Sequence, residues 1–219
     1  MNNASINNKV FITGGSGYIG SRLIPELIKN GFEIFALSRN GSEKKLPSGC
    51  NVISGDALNS SSYESTIPPC ETFIHLVGVA HPGPGKKEQF KSIDLASIQQ
   101  AVPSALKAGV KHFIYLSVAH PAPVMKDFIE VRMKGEELIR KSGMNATFIR
   151  PWYVLGPGHY WPYVFVPFYK LFEIIPSTKE STKRLGLVKI DQMVNCISYS
   201  VKNPANGIKI FNVNDILIY

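Results

Sequence analysis

Apolar residues along this chain gather in short β-branched runs, and the stretches between them carry helical spacing. Residues 9–13 (KVFIT) form the first run, closed by glycines, and predict a buried strand. Residues 18–30 then put Ile19, Leu23, Leu27 and Ile28 at helical spacing, with Gly31 as the stop. Strands are predicted at 32–38, 51–54 and 72–78, and a helix at 88–108 ends at Gly109. A strand at 111–117 precedes a charged amphipathic helix at 126–142, which ends at Gly143, and a strand follows at 145–150. Residues 186–202 read as strand then helix, and 207–213 as a last strand. The strand runs are nearly continuous in apolar residues. With β-α-β-α order, this predicts an α/β fold with a doubly wound parallel sheet buried on both faces. Residues 1–150 are the expected core. Residues 151–219 are the expected reduced C-terminal lobe, with the final strand and helix elements belonging to the same domain.

Composition narrows the class. The chain has 219 residues, of which 44% are hydrophobic and 18% charged, enough apolar surface for a real core. Its net charge is +8, but the longest basic runs are pairs such as Lys44-Lys45 and Lys183-Arg184. A nucleic-acid binder concentrates such charge in a stripe, so no nucleic-acid partner is expected. Cys50, Cys70 and Cys196 are widely spaced and form no CxxC pair, which argues against a disulfide framework and against a metal site. They read as reduced core thiols of a cytoplasmic protein. No apolar stretch reaches the length of a membrane span, and residues 1–8 are too polar for a secretory signal.

Between the first strand and the first helix lies Thr13-Gly14-Gly15-Ser16-Gly17-Tyr18-Ile19-Gly20. Gly14, Gly17 and Gly20 form a G-x-x-G-x-x-G pattern in the context that a dinucleotide needs. The first glycine serves the tight turn, the second lets backbone approach a pyrophosphate, and the third permits close packing of the helix. The helix N-terminus offers free N–H groups to phosphate. No Gly-Lys-Ser/Thr follows, which excludes a P-loop. The second strand ends in Ser38-Arg39, with no carboxylate for a ribose diol. A guanidinium there suits a 2′-phosphate, with Lys44 or Lys45 in support, so NADP(H) is favoured over NAD(H). The plainer alternative for Arg39 is a solvated loop residue.

These motifs give the chain a resemblance to the short-chain dehydrogenase/reductase superfamily, in its extended or atypical form, which includes NAD-dependent epimerase/dehydratase-like and NAD(P)H-binding proteins. The resemblance runs over about residues 9–215 and implies a Rossmann-type fold. It rests on TGGSGYIGSRL, on LSR after the second strand, on GDALN (55–59), HLVG (75–78) and YLSVAH (115–120), and on IRPWYVLGPGH (149–159). It implies that Asp56 and Ala57 lie near the adenine, that Leu76, Val77 and Gly78 pass the adenine ribose, and that Pro151 and Val154 lie beside the nicotinamide. Ser117 falls on the superfamily's active-site serine.

The superfamily's Tyr-x-x-x-Lys pair is where this chain departs. The Lys-x-x-x-Glu step falls on Arg132 and Glu136, which puts Phe128 at the tyrosine position. Phenylalanine exchanges no proton, and arginine could still hold a ribose but does not titrate. Replacement acids are Tyr153, His120, Asp127 and His159, each with a plainer structural reading; for Asp127 this is a capping or dipole role. The catalytic set expected is Ser117, Tyr153 and Arg132.

Residues 152–176 are rich in Trp, Tyr, Phe and Pro. Three readings stand for them: an apolar pocket beside the nicotinamide, an ordinary small core, or a contact with a membrane surface or a subunit. The stretch after Arg150 is short beside extended relatives, which disfavours a nucleotide-sugar substrate. The expected function is an NADP(H)-dependent oxidoreductase acting on a small apolar carbonyl or enone. The alternative is an NADP(H)-binding redox-sensing or scaffolding protein without chemistry.

Overall fold

The computed structural model describes residues 8–158 and 185–219. The chain runs through β1 (Lys9–Thr13), α1 (Gly20–Lys29), β2 (Glu33–Ser38), β3 (Asn51–Ser54) and β4 (Thr72–His75). Then α2 (Lys87–Gln89) continues through a π-helical stretch, Phe90–Leu95, into α3 (Ala96–Lys107). There follow β5 (His112–Leu116), α4 (Lys126–Lys141), β6 (Asn145–Ile149), β7 (Tyr153–Leu155), β8 (Leu187–Lys189), α5 (Ile190–Lys202), β9 (Ile208–Phe211) and α6 (Val213–Ile216).

Seven parallel strands form one sheet in the order β3-β2-β1-β4-β5-β6-β9. The order reverses between β1 and β4, and such a switch point opens a crevice beyond the strands' carboxyl ends. Strand periodicity sends alternate residues to opposite faces. Val10, Ile12, Ile34, Ile74 and Ile114 pack in one cluster with Leu23, Leu27, Met193 and Ile197 of α1 and α5. Phe11, Phe73, Phe113 and Phe148 pack in a second cluster with Ile98, Ala101, Val102 and Ile139 of α3 and α4. One face is therefore aliphatic and the other aromatic, with Phe73 stacked on Phe113 at 5.1 Å. Burial on both faces is why the strand runs lack polar alternation.

The structure corrects several expected boundaries. The fourth strand ends at His75; Leu76 N–H still bonds Thr13 O at 3.0 Å, and Leu76–Gly78 line the crevice. The helix expected at 88–108 contains the π-helical stretch, which sequence spacing does not reveal. The last strand ends at Phe211, where Asn212 and Asp215 form a capping box that opens α6. The final strand belongs to the main sheet beside β6, while β7 and β8 form a separate two-stranded pair. Cys70 and Cys196 are buried thiols as expected, whereas Cys50 is only half-buried. Among the described residues, no helix is long and apolar enough to cross a membrane.

Candidate functional site

At the switch point, the loop after β1 closes directly on the chain leaving β4. Gly14 adopts φ +79°, and a Cβ there would lie 2.8 Å from the Leu76 carbonyl carbon, so a side chain is excluded by conformation and by space. A Cβ at Gly20 would meet Gly15 Cα at 2.7 Å, so this glycine packs α1 against its own loop. Ser21 N–H already bonds Gly17 O at 2.9 Å. The amides ahead of it form the N-terminal end of α1, at the head of a two-chambered cleft.

The first chamber, about 340 Å³, lies beyond β2 and β3. Ser16, Gly17, Ser38, Arg39, Asp56, Ala57, Val77 and Gly78, all singled out by the motifs, line it together with Ser42 and Lys45. Arg39 and Ser42 close a turn through Ser42 N–H to Arg39 O at 2.9 Å, which brings the hydroxyl and the guanidinium to one rim. Lys44 does not line the chamber. Asp56 Oδ1 accepts from Leu58 N–H at 3.0 Å, which fixes the turn after β3.

The second chamber, about 410 Å³, shares Gly14, Gly17, Leu76 and Gly78 with the first. Tyr18, Ile19, Gly20, Ser117, Pro151, Tyr153 and Val154 line it, together with Phe128 and Arg132. The glycine-loop residues and the proposed nicotinamide-side residues therefore meet in one cleft.

Thr13 stands apart from the expected set. It is fully buried and turned into the sheet, where its Oγ1 lies 2.8 Å from His75 Nδ1. Ser97 Oγ donates to Asp94 O at 3.1 Å, so it accepts from His75 Nε2 at the same distance. The imidazole is then protonated on Nε2, and Nδ1 accepts the Thr13 hydroxyl. Burial, reinforced by the Arg132 charge, holds His75 down at about 3, so the ring is neutral. This chain of bonds ties the glycine loop to the π-helical stretch.

Ser117 follows β5 and donates to Glu136 Oε1 at 2.6 Å. Glu136 also accepts two bonds from Arg150, one of them from Nε at 2.8 Å, and His120 Nε2 lies 3.8 Å away. Burial pushes the Glu136 carboxyl up, but His120, Arg150 and Ser117 outweigh it and hold it at about 2. The Ser117 proton therefore points at a carboxylate.

Arg132 is committed as well. Its Nη2 meets Asp94 Oδ1 at 2.6 Å, and its Nη1 donates to Leu116 O at 2.6 Å. Asp94 also accepts from Val79 N–H at 3.0 Å. Burial pushes the Asp94 carboxyl up, against the opposing pull of Arg132. The expected ribose-holding group thus has both terminal nitrogens bonded to protein. Phe128 packs its ring on Phe90 at 5.0 Å and beneath the guanidinium at 5.2 Å, and it brings no hydroxyl.

Tyr153 packs edge-on against Trp152 at 5.5 Å, and burial pushes its hydroxyl up. That shift is the reverse of the lysine effect that an acidic tyrosine needs. Asp127 is drawn into an exposed ion pair with Lys87 at 2.9 Å, away from the cleft. His159 and most of the aromatic segment lie outside the described residues.

Sequence reasoning missed Asp94, which reads as one polar position of a helix, and His81, which sits in an unpatterned loop. His81 lines the second chamber and adopts φ +52°, rare for a residue with a side chain. Among the described residues, no group of three or more side chains could hold a metal.

Comparison with known proteins shows the family and the fold. Residues 14–158 match the NAD(P)H-binding family model. The chain is 24% identical over 151 residues to ceramide reductase of Caulobacter vibrioides, covering 68% of this chain and 47% of that protein. It is 28% identical to divinyl chlorophyllide a 8-vinyl-reductase of Arabidopsis thaliana, covering 65% of this chain and 38% of that one. The chain spans about half the length, or less, of these relatives. Among solved structures, WbmH of Bordetella bronchiseptica in complex with NAD+ superposes with a TM-score of 0.69 at 18% identity, covering 94% of this chain and 75% of that one. UDP-glucose 4-epimerase of Thermotoga maritima gives 0.67 at 18%, covering 96% and 80%. At these identities the structural likeness concerns the fold.

Proposed function

The chain belongs to the NAD(P)H-binding family of the short-chain dehydrogenase/reductase superfamily, and we propose that it is an NADP(H)-dependent oxidoreductase for a small apolar carbonyl or enone. The observation that carries this reading is the pairing of two chambers along one cleft. One has a basic rim at the end of β2, and the other has mainly apolar walls.

The residues present fit a dinucleotide. Gly14, Gly17 and the first amides of α1 would cradle the pyrophosphate. Arg39, Ser42 and Lys45 would hold a 2′-phosphate, since a guanidinium fork and an ammonium both suit that dianion. Asp56 and Ala57 would border the adenine, and Pro151 and Val154 the nicotinamide. The bound dinucleotide supplies or accepts hydride at its nicotinamide. Tyr18, Ile19, Phe128 and Tyr153 exclude water and orient an apolar substrate. Ser117, fixed by Glu136, offers its oxygen lone pairs to the chamber, and Arg132 holds Leu116 directly and Val79 through Asp94. Residues 1–150 would supply most of the dinucleotide site, and among the described residues 151–154 join them on the nicotinamide and substrate side. A cytoplasmic location belongs to the same reading, supported by the three unpaired cysteines.

A second reading, a redox-sensing or scaffolding protein that binds NADP(H) without chemistry, is favoured by one observation. The tyrosine position holds Phe128, and the lysine position holds an arginine already bonded to Asp94. Single-turnover oxidation of NADPH against benzaldehyde, hexanal and cyclohexenone separates the two. Turnover of any of these supports the oxidoreductase. Tight nucleotide binding with no turnover supports the second reading.

A further inference from the structure

At the position expected for the tyrosine the cleft holds Phe128, which exchanges no proton. Among the described residues, four titratable side chains line the second chamber: Tyr18, His81, Arg132 and Tyr153. Arg132 keeps its proton and is tied to Asp94 and Leu116. Tyr18 places its hydroxyl beside Gly156, and the Arg22 guanidinium lies over its ring, 4.2 Å from the centroid. Tyr153 has been made a weaker acid by its surroundings. Ser117 directs its proton at Glu136.

His81 lines the same chamber from the loop between β4 and α2. It is exposed to solvent as well as lining the chamber, so it can trade protons with water. Its backbone is left-handed, at φ +52°, in the loop between β4 and α2. Lys86 Nζ fixes that conformation by donating to His81 O at 2.9 Å and to Ala80 O at 3.2 Å. Left-handed backbone at a residue with a side chain costs free energy, and such residues cluster at functional sites.

We infer that His81 is the acid–base residue of this site and takes the place of the tyrosine absent at position 128. This rests on the oxidoreductase reading above. In the reducing direction the substrate's carbonyl carbon receives hydride from a reduced nicotinamide dinucleotide, and the carbon–oxygen π bond breaks. The oxygen takes a proton from the His81 imidazolium, giving an alcohol, a neutral imidazole and the oxidised dinucleotide. Solvent then returns a proton to His81. The oxidising direction runs the same transfers backwards, with neutral His81 as the base.

The test compares the wild-type chain with His81→Gln, His81→Gly and Tyr153→Phe. NADPH binding is read by Trp fluorescence, and single-turnover reduction of the three carbonyls by loss of NADPH absorbance. For His81→Gln the expected result is a loss of about 100-fold or more in rate, with Kd for NADPH and KM changed less than about threefold. Added imidazole restores His81→Gly, which a purely structural role for the loop would not allow. Saturating NADP+ also slows carbethoxylation of His81, followed by peptide mass spectrometry, a readout independent of turnover. The inference is overturned by a His81→Gln rate within threefold of wild type, by Tyr153→Phe showing the large loss instead, or by carbethoxylation indifferent to NADP+. A wild-type chain that binds NADPH but reduces none of the carbonyls overturns it together with the catalytic reading. Binding of neither nucleotide overturns the reading beneath both.

Discussion

Arg132 and Asp94 form an ion pair at 2.6 Å inside the cleft wall, with side chains only 5% and 0% exposed. The pair joins α4 to the π-helical stretch, and through Val79 it also holds the loop that carries His81. The arginine that the sequence puts forward to hold a ribose is thus part of a structural clamp.

Breaking that pair from one side should be expensive. Asp94→Ala leaves a buried guanidinium uncompensated and is expected to cost about 3–5 kcal/mol in urea unfolding. The double variant Asp94→Leu with Arg132→Met removes both charges and is expected to cost less than the single change. A single variant as stable as wild type would contradict the clamp.

Two buried histidines set a pH dependence. Burial holds His75 at about 3, with Arg132 adding to the effect, and it holds His112, bonded to Thr147 at 2.8 Å, at about 4. Unfolded histidine titrates near 6.5, so between these values the unfolded chain binds more protons. Their contribution to stability is fully present above about pH 6.5 and is lost as the pH falls, by roughly 1.4 kcal/mol per unit for each ring. Below 4.5 the depressed Glu136 adds a loss of the same sign, while Asp94, raised by burial, works in the opposite direction. The slope between pH 6 and 5 is therefore expected to flatten by about 1.4 kcal/mol per unit in His112→Gln. An unchanged slope would mean that His112 is protonated in the fold.

Much of this was legible in the chain. Continuous apolar runs gave the parallel sheet because both faces are buried, and the glycine spacing marked the cleft because only glycine fits at Gly14. The rest depends on contacts that spacing does not encode. Asp94 reads as an ordinary polar helix position until the π-helical stretch turns it toward Arg132. Thr13 sits inside the glycine motif but serves His75, across a strand pairing that the sequence does not reveal. His81 has no motif; its significance comes from a backbone angle and from Lys86. Arg132 was expected to face a ribose, and only the fold reveals its carboxylate partner.

The glycine loop gives a sharper prediction. Gly14→Ala forces a side chain into a left-handed residue and against the Leu76 carbonyl carbon at 2.8 Å. The strain alone is worth about 1–2 kcal/mol, and the displaced loop is expected to weaken NADPH binding by about 100-fold or more, roughly 2.7 kcal/mol. Fluorescence titration of the folded variant checks it, and binding within threefold of wild type would contradict the proposed cradle.

The proposed dinucleotide cleft has a basic rim that would read the 2′-phosphate. Calorimetric titration of the full chain with NADPH and NADH, beside Arg39→Ala, tests it most directly. A charge-assisted bond is worth about 1.5–3 kcal/mol, so NADPH is expected to bind about tenfold or more tighter than NADH. Arg39→Ala is expected to remove that preference and leave NADH binding unchanged. Equal affinity for the two nucleotides, or a preference that survives the substitution, would contradict the rim, and no heat with either nucleotide would contradict the cleft itself.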